Sequence, residues 1–162
     1  GVSKVDGEIE SSDAMKTIMN GSPFVQPHIS SQYYKKNRVV EKYYDDSYDF
    51  YIQIRSDITI GDFPTRENID EIVSSDHIVV NENYWYKEPY IGRDCNEMII
   101  CSGKNIFKQV NQLHLHEEKL SKQIPTTHHH GEMVTGTYLN NMLSSSIIDT
   151  VLSFDFDYRV VR

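Results

Sequence analysis

The chain has 162 residues, enough for one domain with a substantial core, and a formal net charge of −8 at pH 7. The acidic excess disfavours non-specific binding to nucleic acid, which needs clustered Lys and Arg on the phosphates. No stretch approaches the roughly 18 apolar residues that indicate a membrane span. We therefore expect neither nucleic acid nor a membrane-spanning segment.

The sequence of residues 1–44 predicts a polar, irregular N-terminal arm. Ser11 can cap a short helix that ends near Asn20, so we expect helix over residues 11–20. The run from Tyr33 to Arg38 is basic and aromatic. We interpret it as a solvated part of the arm that wraps the domain, with contact to a partner as the alternative.

From Phe50 onward the pattern predicts an all-β domain, which we place at residues 45–162. Phe50, Ile52 and Ile54 alternate with more polar residues, which is typical of a half-buried strand. Further strands are predicted at residues 58–60, 77–80, 84–86, 97–101, 110–116, 133–134, 138–139, 151–154 and 158–161. Helix is expected only at residues 65–73. Many short strands separated by regular turns predict a two-sheet β-sandwich.

The two cysteines favour an intracellular protein. A disulfide scaffold needs more than Cys95 and Cys101, and a structural zinc site needs partners at tighter spacing. We therefore expect reduced thiols and a nuclear or cytoplasmic location.

Two short motifs resemble those of forkhead-associated (FHA) domains. Ile91-Gly92-Arg93 is similar to the strand end from which that family places an arginine near phosphate. The segment Gly136-Thr137-Tyr138-Leu139-Asn140 is similar to a second loop of the family. The match covers residues 48–162, and its long insertion before Gly92 resembles FHA domains of fungal checkpoint kinases. The resemblance implies a β-sandwich that binds phosphothreonine peptides.

The resemblance implies a ligand site where three loops meet at one end of the sandwich. Its candidate binding residues are Arg93, Lys104, Asn105, Lys108, Thr135, Gly136, Thr137 and Asn140. The chain departs from the family where Phe107 replaces a phosphate-binding Ser, Val110 a structural His, and Thr135 an Asn. Each hydrogen bond to a charged group is worth roughly 1.5–3 kcal/mol, so losing two predicts weak phosphothreonine binding.

The histidines permit a metal-site hypothesis. His114 and His116 would share one face of a strand, and a triple histidine follows at residues 128–130. Such a set can bind zinc or iron. However, the sequence has no His-Glu-x-x-His helix and lacks a carboxylate at the spacing of a facial triad. We therefore expect no metal, no other cofactor and no catalytic residues.

The sequence thus predicts a protein-interaction module in signalling or assembly that binds a protein or phosphopeptide partner and is not an enzyme. Two alternatives stay open. One is a structural or assembly β-domain, viral or from a secretion apparatus, that binds no phosphopeptide. The other is a His-dependent metal hydrolase. Phosphopeptide dependence tests the first alternative and metal content tests the second, while the oligomeric state is not indicated.

Overall fold

The computed structural model describes most of the chain as a mixed α/β fold. The described residues are 27–55, 57–81, 85–88, 92–95, 99–125, 130–154 and 156–161. The predicted helix at residues 11–20 lies outside these ranges. None of the helices in the described part of the chain is long and apolar enough to cross a membrane.

The described elements are five α-helices, one 3₁₀ turn and eight strands. The helices are α1 (Pro27–Tyr43), α2 (Arg66–Ser74), α3 (Lys104–Val110), α4 (Glu117–Ser121) and α5 (Gly131–Ser144), with a 3₁₀ turn at Leu113–His116. The strands are β1 (Phe50–Ile54), β2 (Ile58–Ile60), β3 (His77–Asn81), β4 (Trp85–Glu88), β5 (Gly92–Cys95), β6 (Ile99–Gly103), β7 (Thr150–Phe154) and β8 (Tyr158–Val160).

The predicted all-β sandwich is wrong. In the described part of the chain, five α-helices accompany eight short strands in small sheets, so helices supply much of the packing. Residues 110–116 and 133–139, predicted as strands and a turn, are helical, and residues 27–43 form α1 instead of an irregular arm. The strands predicted near β1, β2, β3, β6, β7 and β8 are confirmed, as is a helix near residues 65–73.

A four-stranded mixed sheet organises the fold, with the strand order β1-β6-β3-β7. β6 runs antiparallel to both β1 and β3, whereas β7 runs parallel to β3. β2 pairs with β8, and β4 with β5, in two separate two-stranded ribbons. The antiparallel strand β6 therefore lies between β1 and β3 and joins them into one layer.

Each face of the four-stranded sheet buries its own core. Ile78 and Val80 lie on the side of α1, α3, α4 and α5. Val79 lies on the opposite side, in a cluster with Ile72 from α2 and Phe156. Because successive strand residues point to opposite faces, β3 is a continuous apolar run and not an alternating pattern.

The helical stretch after β6 follows a 3.6-residue period. Its core residues are Ile106, Val110, Leu113, Leu120 and Ile124, at spacings of three, four and seven. Leu113 is 4% exposed, whereas Leu115 is 66% exposed. Residues two apart share one face of a strand but point about 200° apart on a helix. The pair therefore belongs to a helical segment.

Helix α5 forms despite residues that favour strands. The ring of His130 caps it, with Nδ1 accepting a hydrogen bond from the Met133 amide at 3.4 Å. Val134, Thr135 and Gly136 have low helix propensity. However, every residue from Met133 to Leu139 is buried, and β5 lies against this helix. Tertiary burial therefore outweighs local propensity.

Helix α1 packs into the main core through one face. Tyr33 is 2% exposed and Val40 is 8% exposed, at the i and i+7 positions of one helix face. The Tyr33 hydroxyl donates to the carbonyl of Gly131 at 2.8 Å. The Ser30 hydroxyl donates to the buried carboxylate of Glu117 at 2.5 Å. These contacts fix α1 against α4 and α5. The predicted domain boundary after residue 44 stays a prediction.

Candidate functional site

The residues predicted to bind a ligand lie on two helices and one strand. Lys104, Asn105 and Lys108 are on α3, which begins directly after β6. Thr135–Thr137 and Asn140 are on α5, and Arg93 is in β5, whose backbone lies against α5. The residues on α3 and α5 are therefore helical, and the expected meeting of three sandwich loops does not occur among the described residues.

Three of the four α5 residues of the predicted site lie in the interior, whereas Asn140 is half-buried. Thr135 is 3% exposed and Thr137 is 6% exposed, and Gly136 between them is also buried. The Thr135 hydroxyl shares a hydrogen bond of 3.1 Å with the Tyr33 hydroxyl. A peptide in solvent cannot reach these groups while the core is packed, and Thr135 helps to hold α1 against α5.

A small cleft with a volume of about 20 Å³ lies between α1, the sheet, α3 and α5. Two of its polar side chains, Asn111 and Tyr138, are bonded to the protein. The Tyr138 hydroxyl donates to the Gln109 carbonyl at 2.6 Å, and the Asn111 amide donates to the Phe107 carbonyl at 3.0 Å. Burial raises the pKa of Tyr138 to about 12, which keeps this hydroxyl protonated as a donor. We therefore interpret the cleft as a packing space.

A second space, which we call the α1–α3 groove, is wider and open to solvent. Its cavity volume is about 340 Å³, and it is lined by Asn37, Val40, Glu41, Tyr44, Lys108 and Gln112. Ligand pockets commonly have volumes of roughly 300–1,000 Å³. One wall is α1 with the residue that follows it, and the other is α3 with the turn after it. The groove combines an ammonium, a carboxylate, two amides and an aromatic ring.

Lys108 is the basic group of the α1–α3 groove. Its ammonium lies 3.7 Å from the ring centroid of Tyr44, a cation–π contact. Tyr44 stacks on Tyr51 at 5.0 Å, and Tyr51 stacks on Phe107 at 4.6 Å. This aromatic column holds Lys108 in position, and no carboxylate of the described residues forms an ion pair with it. Its positive charge is therefore available to a ligand.

The other polar groups near Lys108 already have partners within the protein. Burial, reinforced by a hydrogen bond to Asp46, raises the pKa of Tyr44 to about 12. The neutral Tyr44 hydroxyl also donates to the Lys104 carbonyl at 3.2 Å. The Lys104 ammonium pairs with the Asp49 carboxylate at 3.0 Å, and this contact raises the pKa of Lys104. Of the two lysines of α3, Lys108 is thus the one without an anionic partner in the described chain.

Glu41 is the acidic group of the α1–α3 groove. Its Oε1 accepts a hydrogen bond from the Asn37 amide at 2.8 Å, and its Oε2 accepts one from the Arg38 guanidinium at 2.8 Å. The hydrogen bond from Asn37, followed by that from Arg38, holds the pKa of Glu41 below its usual range. Glu41 is therefore ionised but already paired, which leaves Lys108 as the uncompensated charge of the groove.

The histidines of the metal hypothesis contact different neighbours. His114 and His116 are in the 3₁₀ turn, where His114 meets the edge of Tyr34 at 5.9 Å and His116 stacks on Tyr138 at 5.3 Å. The described residues contain no group of three side chains placed to hold a metal ion. His128 and His129 lie outside the described residues, and the absence of a metal stays a prediction.

Sequence reasoning identified Lys108 but missed the opposite wall of the groove. Asn37, Glu41 and Tyr44 were assigned to an irregular arm, although the arm forms a helix. The available signal was the spacing of Tyr33, Val40 and the other buried positions, which follows a helical period. No family model and no curated protein matches the chain, so its function is inferred from the chemistry of the groove.

Proposed function

We propose that the chain is a protein-interaction module that binds an acidic segment of a partner protein in the α1–α3 groove. The observation that carries this proposal is Lys108, whose ammonium is held 3.7 Å from the Tyr44 ring with no ion pair in the described chain. A hydrogen bond from an ammonium to a carboxylate or phosphate is stronger than one between neutral groups. An anionic side chain of the partner would supply that bond.

The charge of α1 favours the same class of partner. The helix contains four basic residues, Lys35, Lys36, Arg38 and Lys42, against a single carboxylate, that of Glu41. The whole chain, in contrast, has a net charge of −8. A local positive potential attracts anionic ligands and raises their association rate even when the net charge is negative.

The shape and polarity of the groove suit a polypeptide. The side-chain amide of Gln112 lines it, and an amide group contains both donors and an acceptor for a peptide backbone. Val40 and the ring of Tyr44 supply apolar surface beside this amide. An open groove of this kind accommodates a segment of chain better than it encloses a small molecule.

Negative charge, and not phosphothreonine as such, is the feature that this groove would recognise. The resemblance to FHA domains implies ligand contacts at Thr135–Thr137, and these residues are buried in α5. A phosphate carries up to two negative charges, whereas an Asp or Glu carries one. We therefore expect phosphopeptides and Asp-rich peptides both to bind, with the phosphopeptide favoured by its charge alone.

Titration of three fluorescent peptides tests the proposal. The peptides are Asp-rich, its Asn counterpart, and the counterpart with phosphothreonine, measured by anisotropy at low and high salt. We expect the anionic peptides to bind and their affinity to fall with salt. Lys108→Ala should weaken binding by about tenfold or more, the equivalent of a lost charged hydrogen bond.

The matched control is Lys122→Ala. Lys122 is 69% exposed and pairs with Glu118 at 2.7 Å, beyond the end of α4, so its removal should leave peptide affinity unchanged. Equal binding of the Asp and Asn peptides, or an equal effect of the two lysine variants, would contradict the proposal. Partner binding without any dependence on charge would favour a structural or assembly domain instead.

An intracellular site of action is part of the proposal. Cys101 is a free, buried cysteine, and burial raises the pKa of its thiol to about 12. A thiol of that kind is inert and behaves as a small apolar side chain. This use of cysteine suits the reducing compartments of the nucleus and cytoplasm.

A further inference from the structure

His114 lies in the 3₁₀ turn where that turn meets α1, two residues after Gln112, which lines the α1–α3 groove. Its ring meets the edge of Tyr34, and its Nδ1 atom is buried without a hydrogen-bond partner among the described residues. Buried polar atoms in folded proteins are normally bonded, so an unpaired nitrogen is an exception that calls for a reason. A proton added to this buried ring would change the local electrostatic potential more than a proton added to an exposed histidine.

Glu41 connects His114 to the groove. Tyr34, Arg38 and Glu41 occupy the i, i+4 and i+7 positions of α1, and therefore one face of the helix. This is the face that meets the 3₁₀ turn, since Tyr34 contacts His114. Burial lowers the pKa of His114, and the charge of Glu41 opposes that effect. The same carboxylate lines the groove.

We propose that His114 is a proton switch on the α1–α3 groove, which binds acidic segments more tightly when His114 is protonated. The inference rests on the proposed function. Protonation places a positive charge beside Glu41, the acidic group among the lining residues. That charge adds to the positive charge of Lys108, so an anionic ligand in the groove is attracted more strongly. By linkage, an anionic ligand must favour the protonated ring by the same free energy.

The other groups around His114 do not supply this effect. Arg38 is a cation bonded to Glu41, so it is not a source of negative charge for the ring. His116, from the same turn, also lowers the pKa of His114. Glu117, the first residue of α4, is bonded to Ser30. Tyr34 is uncharged, and Lys108 lies in the opposite wall of the groove. Glu41 is thus the carboxylate that favours the protonated ring.

The first measurement is an NMR titration of His114 in the free protein, which needs no peptide. We expect Glu41→Gln to lower the pKa of the ring further, because the carboxylate favours the charged form. The second measurement is binding of the Asp-rich peptide at about pH 7.5 and about pH 5.5, where Asp remains ionised. A solvent-screened positive charge on His114 predicts that the affinity for the peptide rises about twofold to fivefold at the lower pH.

His114→Gln should abolish the gain, because glutamine is polar but does not titrate. The control is His28→Gln, since His28 is an exposed histidine of the same helix, about 20 Å along the axis from Glu41. His28→Gln should keep the gain. Circular dichroism at both pH values should show the same helix content in the wild type and both variants.

Three results would overturn the switch: no gain in the wild type, a gain that survives His114→Gln, or a loss of helix at the lower pH. If the wild type binds acidic peptides, Lys108→Ala weakens that binding, and pH has no effect, the proposed function stands and the switch alone fails. If no peptide binds at either pH, the proposed function fails and the inference fails with it.

Discussion

Gly61 is the position where the structure predicts the sharpest effect of a single methyl group. It follows β2 and lies against Asp157, which precedes β8. A Cβ atom at Gly61 would lie 2.8 Å from the Asp157 carboxylate and 3.0 Å from its backbone carbonyl oxygen. The carboxylate can rotate away, but the carbonyl accepts a hydrogen bond from the Gly61 amide at 3.2 Å. Gly61→Ala therefore has to displace backbone.

Overpacking of this kind costs about 1–3 kcal/mol, and the lower entropy of the unfolded alanine chain offsets about 0.4–1 kcal/mol. We expect Gly61→Ala to lower the free energy of unfolding by about 1–2 kcal/mol, measured by urea denaturation with circular dichroism. Gly103→Ala is the matched control. Its Cβ would meet nothing closer than 3.4 Å, and its φ of −67° and ψ of 163° suit alanine. Equal stability of both variants, or a larger loss at Gly103, would refute the reasoning.

Three further predictions concern stability. Leu113→Ala should cost about 2–4 kcal/mol in urea denaturation, whereas Leu115→Ala should change stability by less than about 0.5 kcal/mol; similar losses at both would indicate a strand. Tyr33→Phe should cost about 1–3 kcal/mol, because the Gly131 carbonyl loses its donor, and an unchanged midpoint would dispute that hydrogen bond. Burial holds the pKa of His114 below its unfolded value, so the unfolded chain takes up the proton first as pH falls. The stability that neutral His114 contributes is complete above about pH 6.5 and is lost as pH falls toward the lower folded pKa; His114→Gln should flatten that part of the profile.

The sequence predicted the strands better than the helices, for reasons visible in particular residues. Phe50 and Ile52 of β1 alternate with more polar neighbours because one face of the sheet edge is partly exposed. Leu113 and Leu115 imitate the same alternation, although only Leu113 is buried. Their difference comes from the helical period of the longer segment. A reading of two or three residues at a time cannot detect that period.

The candidate site was predictable on one side only. The sequence indicates Lys108 because this residue is basic and lies in a segment that resembles a phosphate-binding loop of FHA domains. The interaction that positions it, with Tyr44, joins residues 64 positions apart in sequence. Glu41 and Asn37 could be placed beside it only after α1 was docked through the Tyr33 and Val40 face. Contacts between distant segments follow from packing, which the local pattern does not contain.

The parallel pairing of β7 with β3 has a consequence for synthesis on the ribosome. Residues that pair across these two strands lie far apart in sequence; His77, for example, pairs with Thr150. One edge of β3 therefore remains open while the intervening residues, about 70 of them, are translated, which takes roughly 4–15 s at usual rates. Its apolar residues Ile78 and Val80 are exposed to other nascent chains during that time. A chaperone that binds short apolar strands would find its target here before β7 emerges.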